Sequence, residues 1–136
     1  MVNDNEDVHL LVQEALQEVQ LGIRLNFLDN GEQLLEYLYR RGDYAKANKA
    51  PRPHLILLDI NMPRLDGREA LAIVKSDPSL AQIPIIILTT SYQPGDILQC
   101  YRLGANSFIA QPRTFNKLVE AMQSLCHFWF EIAALP

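Results

Sequence analysis

A short, unbroken apolar run, Leu55–Leu58, ends directly at an acidic residue, Asp59. Runs without alternating polar residues are typical of strands that helices bury on both faces, as in a parallel sheet. Ile83–Leu88 is a second apolar run, and it is followed by Thr89. Because ligands of such sheets bind outside the carboxyl ends of the strands, Asp59 and Thr89 are predicted to share one site.

Helix-like and strand-like segments alternate along the rest of the chain. Further strands are predicted at Ile23–Phe27, where apolar and polar side chains alternate, and at Phe108–Ile109. Helices are predicted over about 8–19, from Asn30 to about 38, over about 66–75 and 94–103, and from about Thr114 onward. The polar stretch 40–53 is predicted to be a long surface connection. This order indicates a doubly wound α/β sheet with helices on both faces.

The composition argues against several classes of protein. The 136 residues fit one compact domain, and 49% apolar with 21% charged residues is typical of a globular protein. No apolar stretch is long enough to cross a membrane, and a net charge of −4 argues against nucleic-acid binding. Acidic residues near the start, where a signal peptide carries bases, predict a cytoplasmic location. Cys100 and Cys126 fit no metal-ligand spacing and are predicted to be buried thiols.

The most specific motif surrounds Asp59. It reads Leu57-Leu58-Asp59-Ile60-Asn61-Met62-Pro63 and, after two residues, Asp66-Gly67. This stretch closely resembles the phosphoacceptor loop of response-regulator receiver domains, and further landmarks of that family stand at Asp4, Thr89, Phe108 and Gln111-Pro112. The resemblance implies a single receiver domain over residues 1–136, with a five-stranded parallel sheet in the flavodoxin-like order 2-1-3-4-5. It also implies a two-component response regulator, not an enzyme, that accepts a phosphoryl group from a sensor histidine kinase and signals through altered protein contacts.

The family roles have a physical reason at each position. A carboxylate attacks a phosphoryl group only if negative charge is neutralised, and Mg²⁺ does this with hard oxygen ligands. The resemblance assigns Asp59 as phosphoacceptor, and Asp4, Asp59 and the backbone carbonyl of Asn61 as Mg²⁺ ligands. The resemblance also implies that Thr89 is the switch hydroxyl that reports the phosphate. It implies that Phe108 is the switch aromatic that remodels the surface of the fourth helix, fifth strand and fifth helix.

Three features depart from the family pattern. The acidic pair that receivers carry after strand one reads Asn3-Asp4, which removes one negative charge from the predicted metal site. Gln111 stands in place of the family lysine and offers only a neutral amide donor. Few residues precede Asn5, so the central strand one is predicted to be truncated. Either the natural N-terminus is longer and completes the strand, or the domain tolerates a damaged centre.

A narrower resemblance is to the single-domain regulators associated with cyanobacterial and bacterial phytochromes, which makes a phytochrome one candidate kinase. Its marks are the loop from Arg41 to Pro53, the helix start Asp66-Gly67-Arg68-Glu69 and the ending Phe128-Trp129-Phe130 to Leu135-Pro136. Such regulators dimerise through the fourth helix, fifth strand and an extended fifth helix. An apolar stripe formed by Leu118, Met122, Leu125, Trp129 and Ile132 is predicted to pack on the sheet in its first half. Beyond Leu125 the helix is apolar on other faces too, which predicts a homodimer through this tail.

Two alternatives compete with a phosphate-switched receiver. The first is a degenerate receiver that docks onto partners without phosphorylation, which Asn3 and Gln111 favour. The second is a phosphohydrolase of the haloacid-dehalogenase type, which also has a nucleophilic Asp after an apolar strand. That family requires a second Asp two residues later and Thr or Val two residues after that. Asn61 and Pro63 occupy those positions, so this alternative is disfavoured.

Overall fold

The computed structural model describes residues 1–46 and 49–136. In this part of the chain, five α-helices surround a parallel sheet: α1 (Glu6–Val19), α2 (Gly31–Tyr39), α3 (Gly67–Ser76), α4 (Pro94–Leu103) and α5 (Phe115–Cys126). The continuous strands found there are β1 (Ile56–Leu58), β2 (Ile85–Thr89) and β3 (Ser107–Ala110), in the order β1-β2-β3. Ile56 lies opposite Ile85, and Ile86 lies opposite Ser107.

Alternate residues of the strands enter two separate cores. Leu58 and Ile85 pack with residues of α2 and α3 in one core, whereas Leu57 and Ile86 pack with α1 and α5 in the other. β1 and β2 are therefore buried on both faces, as their apolar runs predicted. β2 begins at Ile85 rather than at the predicted Ile83.

The position of strand one is reduced to an isolated bridge at Val2, which confirms the predicted truncation. Val2 bridges Leu28 on one side and Leu58 on the other, both in parallel orientation. The Val2 N–H donates to the Leu57 carbonyl at 2.8 Å, and the Asp59 N–H donates to the Val2 carbonyl at 3.0 Å. The spatial order Leu28, Val2, β1, β2, β3 is the predicted order 2-1-3-4-5.

The predicted strand at Ile23–Phe27 was wrong, because only the following residue, Leu28, forms a bridge. A strand requires hydrogen bonds from a neighbour, and here the neighbour is only the short segment around Val2. A cavity of about 570 Å³ lies beside this short segment, and residues 23–26 together with Leu55 and Leu57 line it. Apolar and polar side chains do alternate here as they would in a strand, but the segment around Val2 is too short to pair with all of these residues.

The helix boundaries follow their capping residues. Asn5 caps α1, Asn30 caps α2, Asp66 caps α3 and Thr114 caps α5 through side-chain hydrogen bonds to backbone N–H groups. α4 ends at Gly104, whose φ of 109° is in the left-handed region. Part of the predicted surface connection 40–53, residues 47–48, lies outside the described residues. The remainder includes a short helical turn, Gly42–Tyr44, and the Tyr37 hydroxyl donates to the Pro51 carbonyl at 2.7 Å.

α5 continues as a π-helical segment, His127–Ile132, which changes the predicted apolar stripe. Leu118, Met122 and Leu125 are buried as predicted, and Trp129 is half-buried. Ile132 is 62% exposed. The π-type i to i+5 pattern, seen in the 2.6 Å bond from the Ala133 N–H to the Phe128 carbonyl, breaks the α-helical spacing on which that prediction depended.

Both cysteines are buried, as predicted. None of the described helices has the length and apolarity needed to span a membrane.

Candidate functional site

Asp59 lies directly after β1, at the carboxyl edge of the sheet. Its backbone N–H is bonded to Val2, and the residue is only 9% exposed. The Asn61 N–H donates to the Asp59 carboxylate at 3.4 Å. The side chain is therefore fixed at the end of the central strands, where the sequence predicted a ligand site.

Burial raises the pKa of Asp59 above its usual value, because the charged form loses hydration. Hydrogen bonding by the Thr89 hydroxyl and by the N–H groups of Asn61 and Ile60 opposes the shift, and the nearby charge of Asp4 adds to it. A bound cation would stabilise the charged form of this buried carboxylate, whose pKa is raised and which has a second carboxylate beside it.

Asp4 is the second carboxylate of this site, and it is exposed to solvent. Its neighbour Asn3 is buried, and the Asn3 side-chain oxygen accepts the Asn5 N–H at 2.8 Å. The Asn3 side chain thus forms a hydrogen bond with the local backbone. Asn5, rather than Asp4, caps α1 through the Asp7 N–H at 2.9 Å, which leaves Asp4 available as a ligand.

The donor set fits a hard divalent cation. Asp4 and Asp59 supply carboxylate oxygens, and the backbone carbonyl of Asn61 is an additional hard donor on the same loop. Within the described ranges, no cluster of three or more His, Cys, Asp or Glu side chains could hold a metal ion. The predicted set has only two such side chains, and Mg²⁺ characteristically keeps several waters.

Gly67 shows why the acceptor loop needs a glycine. A Cβ at Gly67 would lie 2.0 Å from the Asp59 carbonyl oxygen and 2.7 Å from the Ile60 Cα. The Gly67 N–H donates to the Ile60 carbonyl at 3.2 Å, so α3 begins in contact with the backbone that carries the candidate phosphoacceptor. The sequence contained this glycine in the motif but gave no indication of the contact.

Ser91 is a residue of the site that the sequence analysis missed. Its backbone carbonyl accepts the Thr89 hydroxyl at 3.2 Å and the Asn61 side-chain amide at 2.5 Å. Thr89 is only 1% exposed, and besides the Ser91 carbonyl its hydroxyl has the Asp59 carboxylate as an acceptor, which acts to lower the pKa of Asp59. A hydroxyl has one hydrogen to donate, so these two acceptors compete for it.

Phe108 lies in β3 and is half-buried against the core. Its ring contacts Tyr92 edge to face, with centroids 5.4 Å apart, and its N–H donates to the Tyr101 hydroxyl at 3.2 Å. Tyr92 follows Thr89 by three residues, and Tyr101 belongs to α4. Phe108 is therefore in contact with both the loop after β2 and the exposed face of α4.

Gln111 reaches the same edge of the sheet through its backbone. Its N–H donates to the carbonyl of Thr89 at 2.8 Å. Its side-chain oxygen Oε1 is buried and, in the part of the chain that the structure describes, lacks a hydrogen-bond partner. A buried oxygen without a hydrogen-bond partner lowers the stability of the folded protein, so the position of the Gln111 side chain is energetically unfavourable.

Arg68 connects the starts of α3 and α4. Its guanidinium contacts Asp96 at 2.6 Å and Asp66 at 3.4 Å, and all three side chains are mostly buried. Because Asp66 belongs to the acceptor loop, this ion pair joins the site to the helix that bears Tyr101. In the sequence, Arg68 is a mark of the subfamily and gives no indication of this ion pair.

Comparisons with known proteins agree with this geometry. The family model described as the response regulator receiver domain matches residues 1–123. The response regulator Rcp1 of Synechocystis sp. is 37% identical over 136 residues, which cover 100% of this chain and 90% of Rcp1. A crystal structure of the phosphorylated cyanobacterial phytochrome response regulator RcpA has a TM-score of 0.91 and 38% identity, and the match covers 99% of this chain and 94% of that one.

A structure of the Mn²⁺-bound form of Rcp1 has a TM-score of 0.88 and 37% identity over 99% of this chain and 95% of that one. The flavodoxin-like receiver fold and the homology to phytochrome-associated response regulators are thereby confirmed. The chain belongs to the response regulator receiver domain family, whose members act in two-component signalling.

Proposed function

We propose that residues 1–136 form a single receiver domain in which Asp59 accepts a phosphoryl group from a sensor histidine kinase in a Mg²⁺-dependent reaction. One observation carries the proposal: the buried Asp59 carboxylate, the Asp4 carboxylate, the Thr89 hydroxyl and the Gln111 backbone meet at one edge of the sheet. In the transfer, an Asp59 oxygen forms a bond to phosphorus while the bond from phosphorus to the kinase histidine nitrogen breaks. The histidine nitrogen keeps the bonding electron pair and is protonated.

The metal ligands in this proposal are Asp4, Asp59 and the Asn61 backbone carbonyl. Bound Mg²⁺ would neutralise the charge that accumulates as the phosphoryl group approaches. The Mn²⁺-bound structure of the relative Rcp1 supports a divalent metal. The chain's own contribution is to hold Asp59 at the end of β1 through the Val2 carbonyl, in contact with Gly67.

The switch in this proposal starts at Thr89. When a phosphoryl oxygen competes for the single hydroxyl hydrogen, Thr89 releases the Ser91 carbonyl, which keeps its 2.5 Å bond from the Asn61 side chain. The loop after β2 then moves relative to Phe108, because Tyr92 in that loop contacts the Phe108 ring. The consequence is a rearrangement of the surface that α4, β3 and α5 form, which is a two-state element biased by a local charge.

The proposed partners are a kinase and a second copy of the chain. Because relatives include phytochrome response regulators, a phytochrome is the candidate kinase, and the protein would act with it in the cytoplasm as a signalling protein rather than an enzyme. Apolar side chains on α4 and the C-terminal segment are exposed: Leu98 by 52%, Tyr101 by 47% and Phe128 by 49%. Exposed apolar side chains such as these indicate an interaction surface. We propose that it forms a homodimer interface.

Incubation with acetyl phosphate and Mg²⁺, followed by intact-mass measurement, tests the central proposal. The expected result is one added phosphoryl group, lost in Asp59→Asn and when Mg²⁺ is chelated. Labelling of Asp59→Asn would refute the assignment.

A degenerate receiver is the second candidate, which Gln111 favours because its side chain offers a phosphoryl group only a neutral amide donor in place of the family's lysine. This candidate predicts no labelling and no change of the α4–β3–α5 surface with beryllofluoride.

A further inference from the structure

His9 has a buried imidazole ring that is held on two sides. The residue lies in α1 and is 8% exposed, and its Nε2 is 2.6 Å from the backbone carbonyl oxygen of Asn3. A carbonyl oxygen only accepts hydrogen bonds, so Nε2 carries the hydrogen and donates it. The ring stacks on Phe27, with centroids 4.5 Å apart and an interplanar angle of 17°.

His9 contacts Asn3, and both polar backbone groups of Asn3 form hydrogen bonds. The Asn3 N–H donates to the Leu28 carbonyl at 3.0 Å, and the Asn3 carbonyl accepts His9. The Asn3 side chain accepts the Asn5 N–H at 2.8 Å. The Asn3 carbonyl belongs to the peptide unit that leads into Asp4, so the bond from His9 restrains the backbone immediately before the Asp4 side chain.

The orientation of the Asp4 carboxylate depends on this restraint more than it would if a second acidic residue stood beside it in the sequence. Asn3 occupies the other position of the pair, and its side chain is bonded to Asn5 rather than available to a cation. A carboxylate that is exposed to solvent has freedom to turn away unless its backbone is fixed. A rotation of the peptide unit before Asp4 would therefore remove one of the two carboxylates of the predicted donor set.

We propose that His9 is a positioning residue for the divalent-metal site. By donating from Nε2 to the Asn3 carbonyl, it fixes the peptide unit that precedes Asp4 and so directs the Asp4 carboxylate toward Asp59. The inference rests on the proposed function and adds to it a determinant of metal affinity. Loss of a group that orients a ligand typically weakens metal binding about 10–100-fold, and we expect the lower end because His9 acts through the backbone.

Three substitutions separate the hydrogen bond from the packing of the ring. His9→Phe keeps an aromatic ring for Phe27 but removes the donor. His9→Gln places an amide nitrogen as many bonds from Cβ as Nε2 is, so it should restore the donor. His9→Asn is the matched control, because its amide nitrogen is one bond shorter and reaches only the Nδ1 position.

The measurements are the Mg²⁺ dissociation constant by calorimetry and the Mg²⁺ dependence of Asp59 labelling by acetyl phosphate. We expect half-maximal labelling of His9→Phe and His9→Asn to need about tenfold more Mg²⁺, with the maximal rate changed less than about twofold. His9→Gln should stay within about threefold of the wild type in both quantities. Urea unfolding measures the purely structural effect, which alone would lower stability without changing the Mg²⁺ dependence.

The outcomes distinguish failure of the inference from failure of the proposed function. Wild-type Mg²⁺ dependence in both His9→Phe and His9→Asn would overturn the positioning role while Asp59 labelling stands. A wild type that binds no Mg²⁺, or whose affinity is unchanged in Asp4→Ala, would overturn the metal site and this role together. If His9→Phe does not fold, the comparison between His9→Gln and His9→Asn decides the question, and equal Mg²⁺ dependence in those two refutes the inference.

Discussion

Gln111→Lys would place a full positive charge beside the candidate phosphoryl site at a position that now carries a neutral amide. The backbone is already in place, because the Gln111 N–H is bonded to the Thr89 carbonyl at 2.8 Å. Gln111→Met is the matched control, since methionine has nearly the same length and volume and no donor. The series therefore compares a charged donor, a neutral donor and no donor at one backbone position.

The size of the effect follows from hydrogen-bond strengths. A hydrogen bond to phosphate from a charged donor contributes about 1.5–3 kcal/mol, and a neutral one about half that. A gain of about 1–1.5 kcal/mol in the phosphorylated state only would increase the ratio of switched to resting protein about five- to tenfold. Gln111→Met should switch less than the wild type. It should also raise the free energy of unfolding by about 1 kcal/mol, because it removes a buried oxygen without a partner in the described structure.

NMR of the Phe108 and Tyr101 amide groups, with and without beryllofluoride, measures the switch, because both residues lie on the responding surface. Labelling of Asp59 by acetyl phosphate measures transfer, which should change only a few-fold across the series because it depends mainly on Mg²⁺ and geometry. If the wild type is already fully switched and neither substitution changes the spectra, the reasoning about Gln111 is refuted. In that case the degenerate-receiver alternative loses its main support as well.

Three further predictions concern the acceptor loop, the second core and the C-terminal segment. Gly67→Ala should lower the free energy of unfolding by at least about 2 kcal/mol and slow Asp59 labelling, because its Cβ would lie 2.0 Å from a backbone oxygen; an unchanged urea midpoint would contradict this. Burial raises the pKa of Cys126 to about 11 from its ordinary value of 9.0, so its contribution to stability is complete below about pH 9 and is lost as the pH rises toward 11. That loss should be about 2–3 kcal/mol and absent in Cys126→Ala when unfolding is measured against pH. Phe130→Glu should convert a dimer to a monomer in light scattering at about 10–100 micromolar, and a monomeric wild type would exclude the proposed interface.

The candidate site was predictable to the extent that its residues belong to one local motif. Asp59, Asn61 and Gly67 could be recognised because the acceptor loop is continuous in the sequence, and Thr89 because it ends the second apolar run. The Ser91 carbonyl could not be found in this way, since any residue type supplies a carbonyl. Nor could the role inferred for His9, because a single histidine in a helix gives no indication of which backbone group it will contact.

Elements whose signals are local could be predicted from the sequence. The strands β1 and β2 follow from apolar runs, and the ends of α3 and α4 follow from Asp66 and Gly104, because burial pattern and capping depend on residues that are near one another in the chain. Whether the segment Ile23–Phe27 forms a strand depends instead on contacts with residues far away in the chain. The hydrogen bonds of a strand come from another part of the chain, and here that part offers little more than Val2. Ile132 is exposed for a different reason: the winding becomes π-helical after Cys126, and the spacing of the apolar residues does not encode that change.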